Sequence, residues 1–525
     1  MDDHAHDKDR RMLHALGYAQ ELSRRMSGFS NFAISFTIIS ILSGTLTLYY
    51  FGLNYGGPIE EAYGWPLVSG FVIIVGLGMA EIASKYPTAG GLYYWASKMG
   101  GPAWGWFTGW FNLIGQIAIT AGIDYGAALF ADALLQLLWG GTFKGTSHEI
   151  IYVYACILAL HALMNIFSIR LVALLNDVSV WWHVIGVVLV VGFLLIKPTH
   201  HQSFSTVFGH TLNNSGFSHS WLWFVLLLGL LQAQYTYTGY DASAHMSEET
   251  QNASRSAARG VIMSIVVSAV FGYILALGVT FAIQGSVKDT AAAGTFAVKK
   301  VYLDALGTHT AEVMLFITVM AQLYCGMSSI TSASRMLYAF SRDRATPGHQ
   351  LWRQLNRERV PYMAVGAIAV LAFLCAFPAY FGTNGYVAYA AVTSIATIGL
   401  YIAYAIPIYL RLRLGDAWEP GEWNLGRHYK WIGTVACLWV AFISILFILP
   451  ELPGGIPWNS GFTWLDVNYA IIAVGGTLLL VGGWWVLSAH RWFEGPVAQG
   501  TEEELARIES QYEHGSHAAP TPGPA

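Results

Sequence analysis

The stretch "YTYTGYDASAHMSEET", residues 235–250, decides how this chain is read. The residues from Trp221 to Tyr240 carry no charge, yet Asp241, His245, Glu248 and Glu249 follow in a helix-like pattern. One straight helix from Trp221 to Glu249 would run about 43 Å at about 1.5 Å per residue, against a hydrocarbon core of about 30 Å. Two readings are open. A tilted helix pushes its last turns out of the bilayer, with Asp241 near the interface. Alternatively the helix breaks at Thr238–Asp241, where Gly239 weakens it by about 1 kcal/mol. Thr238 and Asp241 then bond to the freed backbone, and Asp241 N-caps the inner piece. Broken helices are tolerated at membrane depth only where they line a cavity in the protein.

The rest of the chain supplies the bilayer. Of 525 residues, 55% are hydrophobic and 11% charged, whereas soluble domains carry roughly 25% charge. Uncharged runs of about 20 residues alternate with short polar breaks. Twelve such runs begin near Phe29, Pro66, Ala103, Ile150, Asn176, Trp221, Arg259, Ala311, Pro361, Tyr386, Trp431 and Val467. The fold class expected is an all-α polytopic membrane protein with 12 transmembrane helices. The charged first 28 residues are not a cleavable signal peptide.

Lys and Arg are retained on the cytoplasmic side of a membrane. With the N-terminus inside, only Lys144, Lys197, Lys288, Lys299 and Lys300 of the 27 basic residues fall outside. Both termini are therefore expected in the cytoplasm, and the location expected is the plasma membrane. A net charge of −4 without a basic aromatic patch gives no sign of a nucleic-acid partner. Cys156, Cys325, Cys375 and Cys437 lie unpaired inside apolar runs and read as small core residues. Residues 491–525 read as a disordered tail, low in complexity at "HGSHAAPTPGPA".

A second interruption matches the first. The opening run, "FSNFAISFTIISILSGTLTLYYFG", contains Ser43, Gly44 and Thr45 about halfway along. Paired interruptions in corresponding helices of two halves point to an inverted-repeat transporter. A broken helix offers free N–H groups at one end and free C=O groups at the other. A small zwitterion such as an amino acid satisfies both.

Three motifs carry a family resemblance: "GMAEIASKYPTAGGLYYWASKMGGP" (78–102), "YTGYDASAHMSEE" in run six, and "SASRMLYAFSRDRATP" after run eight. Together they resemble the amino acid–polyamine–organocation superfamily. "LLNDVSVWWHVIG" and "GLNYGGP" are most similar to its amino acid/choline transporter branch, which includes γ-aminobutyrate permeases. The resemblance spans roughly residues 20–490. It implies the leucine-transporter fold, with inverted repeats at about 29–197 and 221–410, a core over 29–410 and two further helices over 411–490, behind a tail at 1–28.

The resemblance also implies a site. Leu42, Ser43, Gly44 and Thr45 match the unwound turn that holds a substrate carboxylate on its N–H groups; Leu42 stands where a glycine is usual. Tyr235, Tyr237, Thr238 and Gly239 match the unwound part of helix six, where an aromatic ring covers the substrate and carbonyls receive its amine. Asp241 is either a structural cap or a direct contact for amine or proton. His183 matches a helix-five position that carries lysine in proton-coupled relatives. It reads as a coupling residue, since histidine titrates near neutrality, or as a packed core histidine. Ser328 and Ser329 lie where sodium-dependent relatives offer hydroxyl ligands, though such hydroxyls also pack between helices.

Other residues are read without the family. Gln116 is a candidate substrate contact, while Asp124 lies near the outer face and is expected to be wet. Gly101, Gly105 and Gly109 recur every four residues and predict close helix packing. Glu248 and Glu249 end a helix and need cationic partners, with Arg24, Arg25 and Arg335 as candidates for an inner gate. The outer-loop histidines 200, 201, 210 and 219 have no ligand-like context. No HExxH, nucleophile elbow or phosphate loop is present, so neither an enzyme nor a cofactor or metal is expected. The function expected is a permease moving amino acids or related amines, coupled to a proton. Sodium coupling, exchange and a non-transporting sensor are the alternatives.

Overall fold

The computed structural model describes residues 2–140, 142–167, 169–380 and 385–513. Its ordered elements there are helices. Among the described residues, eleven helices are long and apolar enough to cross a bilayer. The twelfth run expected, from Trp221, is absent from that set because it is in pieces: Leu222–Gly229, Leu231–Thr236 and Ala242–His245, then a 3-10 turn at Ser247–Glu249.

Burial sorts the helices into centre and rim. Pro102–Leu138 is 37 residues long and packs along Thr308–Arg342 and Gly385–Leu414. In its most apolar stretch 89% of residues are buried, against 11% in Ala470–Leu487. The rim helices present Leu163, Trp181, Val188 and Leu480 outward, as surfaces facing lipid do.

Small residues set the close approaches. A Cβ on Gly105 would lie 1.7 Å from Ser97 Oγ, and one on Gly109 would lie 2.5 Å from the Phe340 ring. These two glycines therefore pack as their spacing suggests. Gly101 does not: nothing lies within 4 Å of its Cβ position, and its φ of +89° makes it a turn glycine before Pro102. The cysteines are free; Cys325 is buried, but Cys156 is exposed on a rim helix rather than packed in a core.

The chain ends meet on one face of the bundle. Residues 491–513 are not a loose tail: Glu502–Glu513 is helical, and Glu509 accepts from His14 and from the Gln20 N–H (2.7 and 2.8 Å). Polar N-terminal groups supply partners that composition does not reveal. Residues 514–525, with "HGSHAAPTPGPA", lie outside the described residues.

Asp343, just past the end of Thr308–Arg342, gathers both ends. It accepts from Tyr18 and Tyr93 hydroxyls (2.8 Å each) and from the Val497 N–H (3.1 Å). Burial pushes its carboxyl up to about 6. A folded state that binds a proton more tightly than the unfolded chain is favoured at low pH. This contribution is complete below the ordinary value of 3.8 and is lost as pH rises through about 6. Asp343→Asn is therefore expected to flatten a fall in Tm between about pH 4 and pH 7. A wild-type Tm that rises relative to the variant across that window contradicts this reading.

Candidate functional site

The first membrane segment is interrupted three residues earlier than its sequence suggests. Gly28–Ile39 ends at Ser40, which is left-handed (φ 39°, ψ 82°), and a turn runs through Ser43. Gly44 and Thr45 already belong to the next short helix, Gly44–Thr47. The difference has a local cause: Ser40 Oγ is held by His183 Nε2 at 2.7 Å. That contact fixes the backbone at Ser40 and leaves Gly44 to start the outer piece. Among the described residues, the Ile41 and Leu42 N–H groups donate to no carbonyl. Leu42 is buried, packed where a Cβ on Gly186 would lie 2.8 Å from its Cδ1.

The sixth segment breaks where the glycine predicts. Gly239 has φ +92°, and a Cβ there would meet Ile38 Cγ2 at 2.2 Å. A Cβ on Gly44 would meet Thr236 Oγ1 at 2.8 Å. The two interruptions are therefore side by side. The N-terminal end of Gly44–Thr47 lies against the C-terminal end of Leu231–Thr236, so ends of opposite polarity are neighbours.

Thr238 Oγ1 donates back to the Tyr235 carbonyl (2.6 Å), as expected of a break residue. Asp241 occupies the N-cap position of Ala242–His245 but does not cap it. The Ser243 N–H donates instead to Ser35 Oγ of the first segment (2.9 Å), and Asn31 Nδ2 donates to the Ser243 carbonyl (2.9 Å). Helix one thus caps helix six. The Asp241 carboxylate is occupied elsewhere, accepting from Tyr404 Oη (2.7 Å), Gln116 Nε2 (2.8 Å) and Asn112 Nδ2 (3.2 Å).

The tyrosines point in different directions. Tyr235 lies against Pro102–Leu138, its hydroxyl 2.5 Å from the Cβ position of Gly122. Tyr237 turns away, sharing a 2.6 Å hydrogen bond with Ser69 and packing on Trp65. Its carbonyl accepts weakly from Tyr401 (3.4 Å).

Fully buried His183 donates from Nδ1 to the Ser179 carbonyl (2.8 Å), and its Nε2 shares a hydrogen bond with the Ser40 hydroxyl, which can supply the hydrogen (2.7 Å). These partners are those of a neutral imidazole. The single Ser328 hydroxyl hydrogen is within reach of two acceptors, Asn176 Oδ1 (3.0 Å) and Tyr324 O of its own helix (2.9 Å). Ser329 pairs with Thr120 Oγ1 (2.7 Å), away from Ser328. Ser328 and Asn176 lie in a groove of about 250 Å³ that also takes in Arg25, Arg335, Glu249 and Arg359.

Two electrostatic expectations change. Asp124 is not wet: it is fully buried against His161 Nδ1 (3.1 Å), in the space left by Gly326. Glu248 pairs with Arg342 (2.9 and 3.1 Å), not with Arg24, Arg25 or Arg335, while Glu249 takes Arg335 as expected (2.8 Å). Arg24 bonds instead to the Ser247 and Thr250 carbonyls. Thr308–Arg342 is 35 residues long, and its last residue is the one that meets Glu248.

His245, Asn112 and Tyr404 also belong to this cluster, and two of them have a signal in the sequence. Asn112–Gln116 and Asp241–His245 are each spaced i, i+4, the separation that puts polar side chains on one helix face. Glu61 and Gln232 form another buried pair (3.0 Å) beside the first segment; nothing in their local sequence announces it.

A helical membrane bundle with two interrupted segments side by side, lined by buried polar groups, is a solute-transport architecture. The amino acid permease family model matches residues 26–478, and the chain belongs to that family. It is a transporter of amino acids rather than an enzyme. The chain is 41% identical over 503 residues to amino-acid permease BAT1 of Arabidopsis thaliana, covering 93% of this chain and 96% of the relative. A BAT1 homolog of Oryza sativa subsp. japonica is 40% identical, with 92% and 95% covered. The GABA-specific permease of Saccharomyces cerevisiae is 29% identical, with 94% and 87% covered.

Proposed function

We propose that this permease is a secondary active transporter that binds a small zwitterion between the two interruptions and moves it by alternating access, coupled to a proton. The observation that carries this reading is the juxtaposition of Gly44 with Thr236 and of Ile38 with Gly239. The substrate carboxylate sits on the Ile41 and Leu42 N–H groups, beside Ser43, Gly44 and Thr45, since the Ser43 and Gly44 N–H groups already donate to the Ser40 carbonyl (2.8 and 2.9 Å). Its amine faces the carbonyls at Thr236–Thr238 and Asp241 beyond them. Tyr235 covers it and Gln116 orients Asp241. Residues 29–197 and 221–410 form the inverted repeats, and the helices over 411–490 stand outside them. The face carrying both termini is cytoplasmic, by the excess of Lys and Arg there, and the membrane is the plasma membrane. γ-Aminobutyrate is a reasonable first substrate, given the yeast relative.

His183 enters as the residue that holds the helix-one break through Ser40, and through it the coupling between ion and substrate. A second reading, sodium-coupled symport, draws on Ser328 facing the groove beside Asn176. Uptake into proteoliposomes separates these. Radiolabelled γ-aminobutyrate, alanine, arginine and glutamate would be supplied with an inward proton gradient in sodium-free buffer, to wild type and His183→Ala. Accumulation by wild type, reduced at least about tenfold by His183→Ala, is the expected result. Accumulation only with sodium favours the Ser328 reading. Binding without flux makes the chain a sensor.

A further inference from the structure

The geometry points to a proton-binding site shared by His245 and Asp241, separate from His183, whose occupancy locks the inner half of helix six. It rests on the transport reading above. Both residues are fully buried. His245 Nδ1 lies 2.9 Å from the Ala89 carbonyl, an acceptor only, so this nitrogen must carry hydrogen. Nε2 lies 3.2 Å from Asp241 Oδ2. The carboxylate is already the acceptor for Tyr404, Gln116 and Asn112, three side chains that donate to it. Between Nε2 and Oδ2 there is consequently room for one proton and need of it: without one, two lone pairs face each other in a site with no water-exposed surface. His183 differs, because the Ser40 hydroxyl supplies the hydrogen its Nε2 needs.

The same proton reaches the closed inner face. Ala89 is gripped on both sides of its Cα by helix six, its carbonyl by His245 and its N–H by Glu248 Oε1 (2.9 Å each). Glu248 is in turn held by Arg342, whose guanidinium covers the Tyr18 ring at 3.8 Å. A Cβ on Gly91 would come within 3.1 Å of the imidazole, so the 88–91 turn fits directly onto His245. The charged and titratable groups facing His245 are thus Asp241 on its own segment and Tyr404 on Gly385–Leu414. Glu248 and Arg342 act through Ala89. Pro102–Leu138 contributes only the neutral Asn112 and Gln116, and the 88–91 turn only backbone. With the proton in place, Asp241, His245 and Ala89 form one hydrogen-bonded chain and helix six stays docked. When the proton leaves to water on the terminal face, Nε2 and the carboxylate repel and the 88–91 turn is released. The proton enters from water on the opposite face, so each cycle carries one proton with one substrate.

The test uses the full-length protein in proteoliposomes with the four-compound panel, measuring both counterflow and accumulation driven by a proton gradient. His245→Gln, which keeps an N–H donor at the position but holds no extra proton, is expected to lose gradient-driven accumulation at least about tenfold while counterflow continues. Tyr404→Phe removes one donor from the carboxylate and raises the proton affinity of the pair. It should shift the pH midpoint of uptake upward by about one unit. That variant decides the question alone if His245→Gln does not fold. Wild-type-like accumulation by His245→Gln overturns the proposal, as does uptake by Tyr404→Phe with an unmoved pH midpoint. Counterflow by wild type with no response to the proton gradient also overturns it while leaving the permease reading intact. Wild type that moves no panel member by either assay defeats the transport reading and this site with it.

Discussion

Arg342→Gln is expected to strip the protein of most of its stability and to abolish uptake. Glu248 has no exposed surface, and its carboxylate is met by both terminal nitrogens of Arg342 and by the Ala89 N–H. Removing one partner of a buried ion pair leaves an uncompensated charge, at a cost of about 3–5 kcal/mol. An exposed pair would lose less than about 1 kcal/mol. Burial therefore decides which magnitude applies. Glu248→Gln combined with Arg342→Gln removes both charges and should recover much of the lost Tm in detergent. It should not recover full transport, because the clamp between the 88–91 turn, helix six and Thr308–Arg342 is gone. Glu248→Gln alone should alter uptake kinetics. A single Arg342→Gln variant with unchanged Tm would show that this pair is solvated, and wild-type kinetics in Glu248→Gln would remove the inner-gate role.

Gly239→Ala is the second large effect. Its φ of +92° lies where an L side chain is strained, and the new methyl would sit 2.2 Å from Ile38 Cγ2. The strain amounts to about 1–3 kcal/mol, and overpacking adds a similar amount. Either term alone would separate the two interruptions by pushing helix one from helix six, so substrate binding and uptake should fall by at least about a hundredfold. Ile38→Ala in the same chain removes the clash but not the backbone strain, and should restore only part of the loss. Full restoration would show that sterics alone place this glycine. Wild-type uptake in Gly239→Ala would mean that the break at Tyr237–Asp241 is not part of the transport site.

The polar groups that fill the centre were legible in unequal degree. Thr238 and Gly239 announce their break because a glycine and a back-bonding hydroxyl act on their own backbone. Ser40 does not announce its own: a serine within an apolar run looks like any packed hydroxyl, and only His183, distant in sequence, turns it left-handed. Asp241 reads as a cap because capping is a local habit of aspartate. Ser35 takes that task, since helix one lies closer to the freed N–H than the Asp241 side chain, which is drawn to Tyr404 and Gln116.

What the chain by itself determined is the part that depends on neighbours along it. Apolar runs of bilayer length, the basic loops and the glycine break at 239 follow from composition and short-range spacing, and the three motifs carry the family by resemblance. Only the tertiary structure decided the pairings: Glu248 with Arg342, Asp124 with His161, His245 between Asp241 and Ala89, and the C-terminal segment against the N-terminal one. In a membrane interior each buried polar group must find a partner. Which partner it finds is set by how long helices cross, and no local pattern records those crossings.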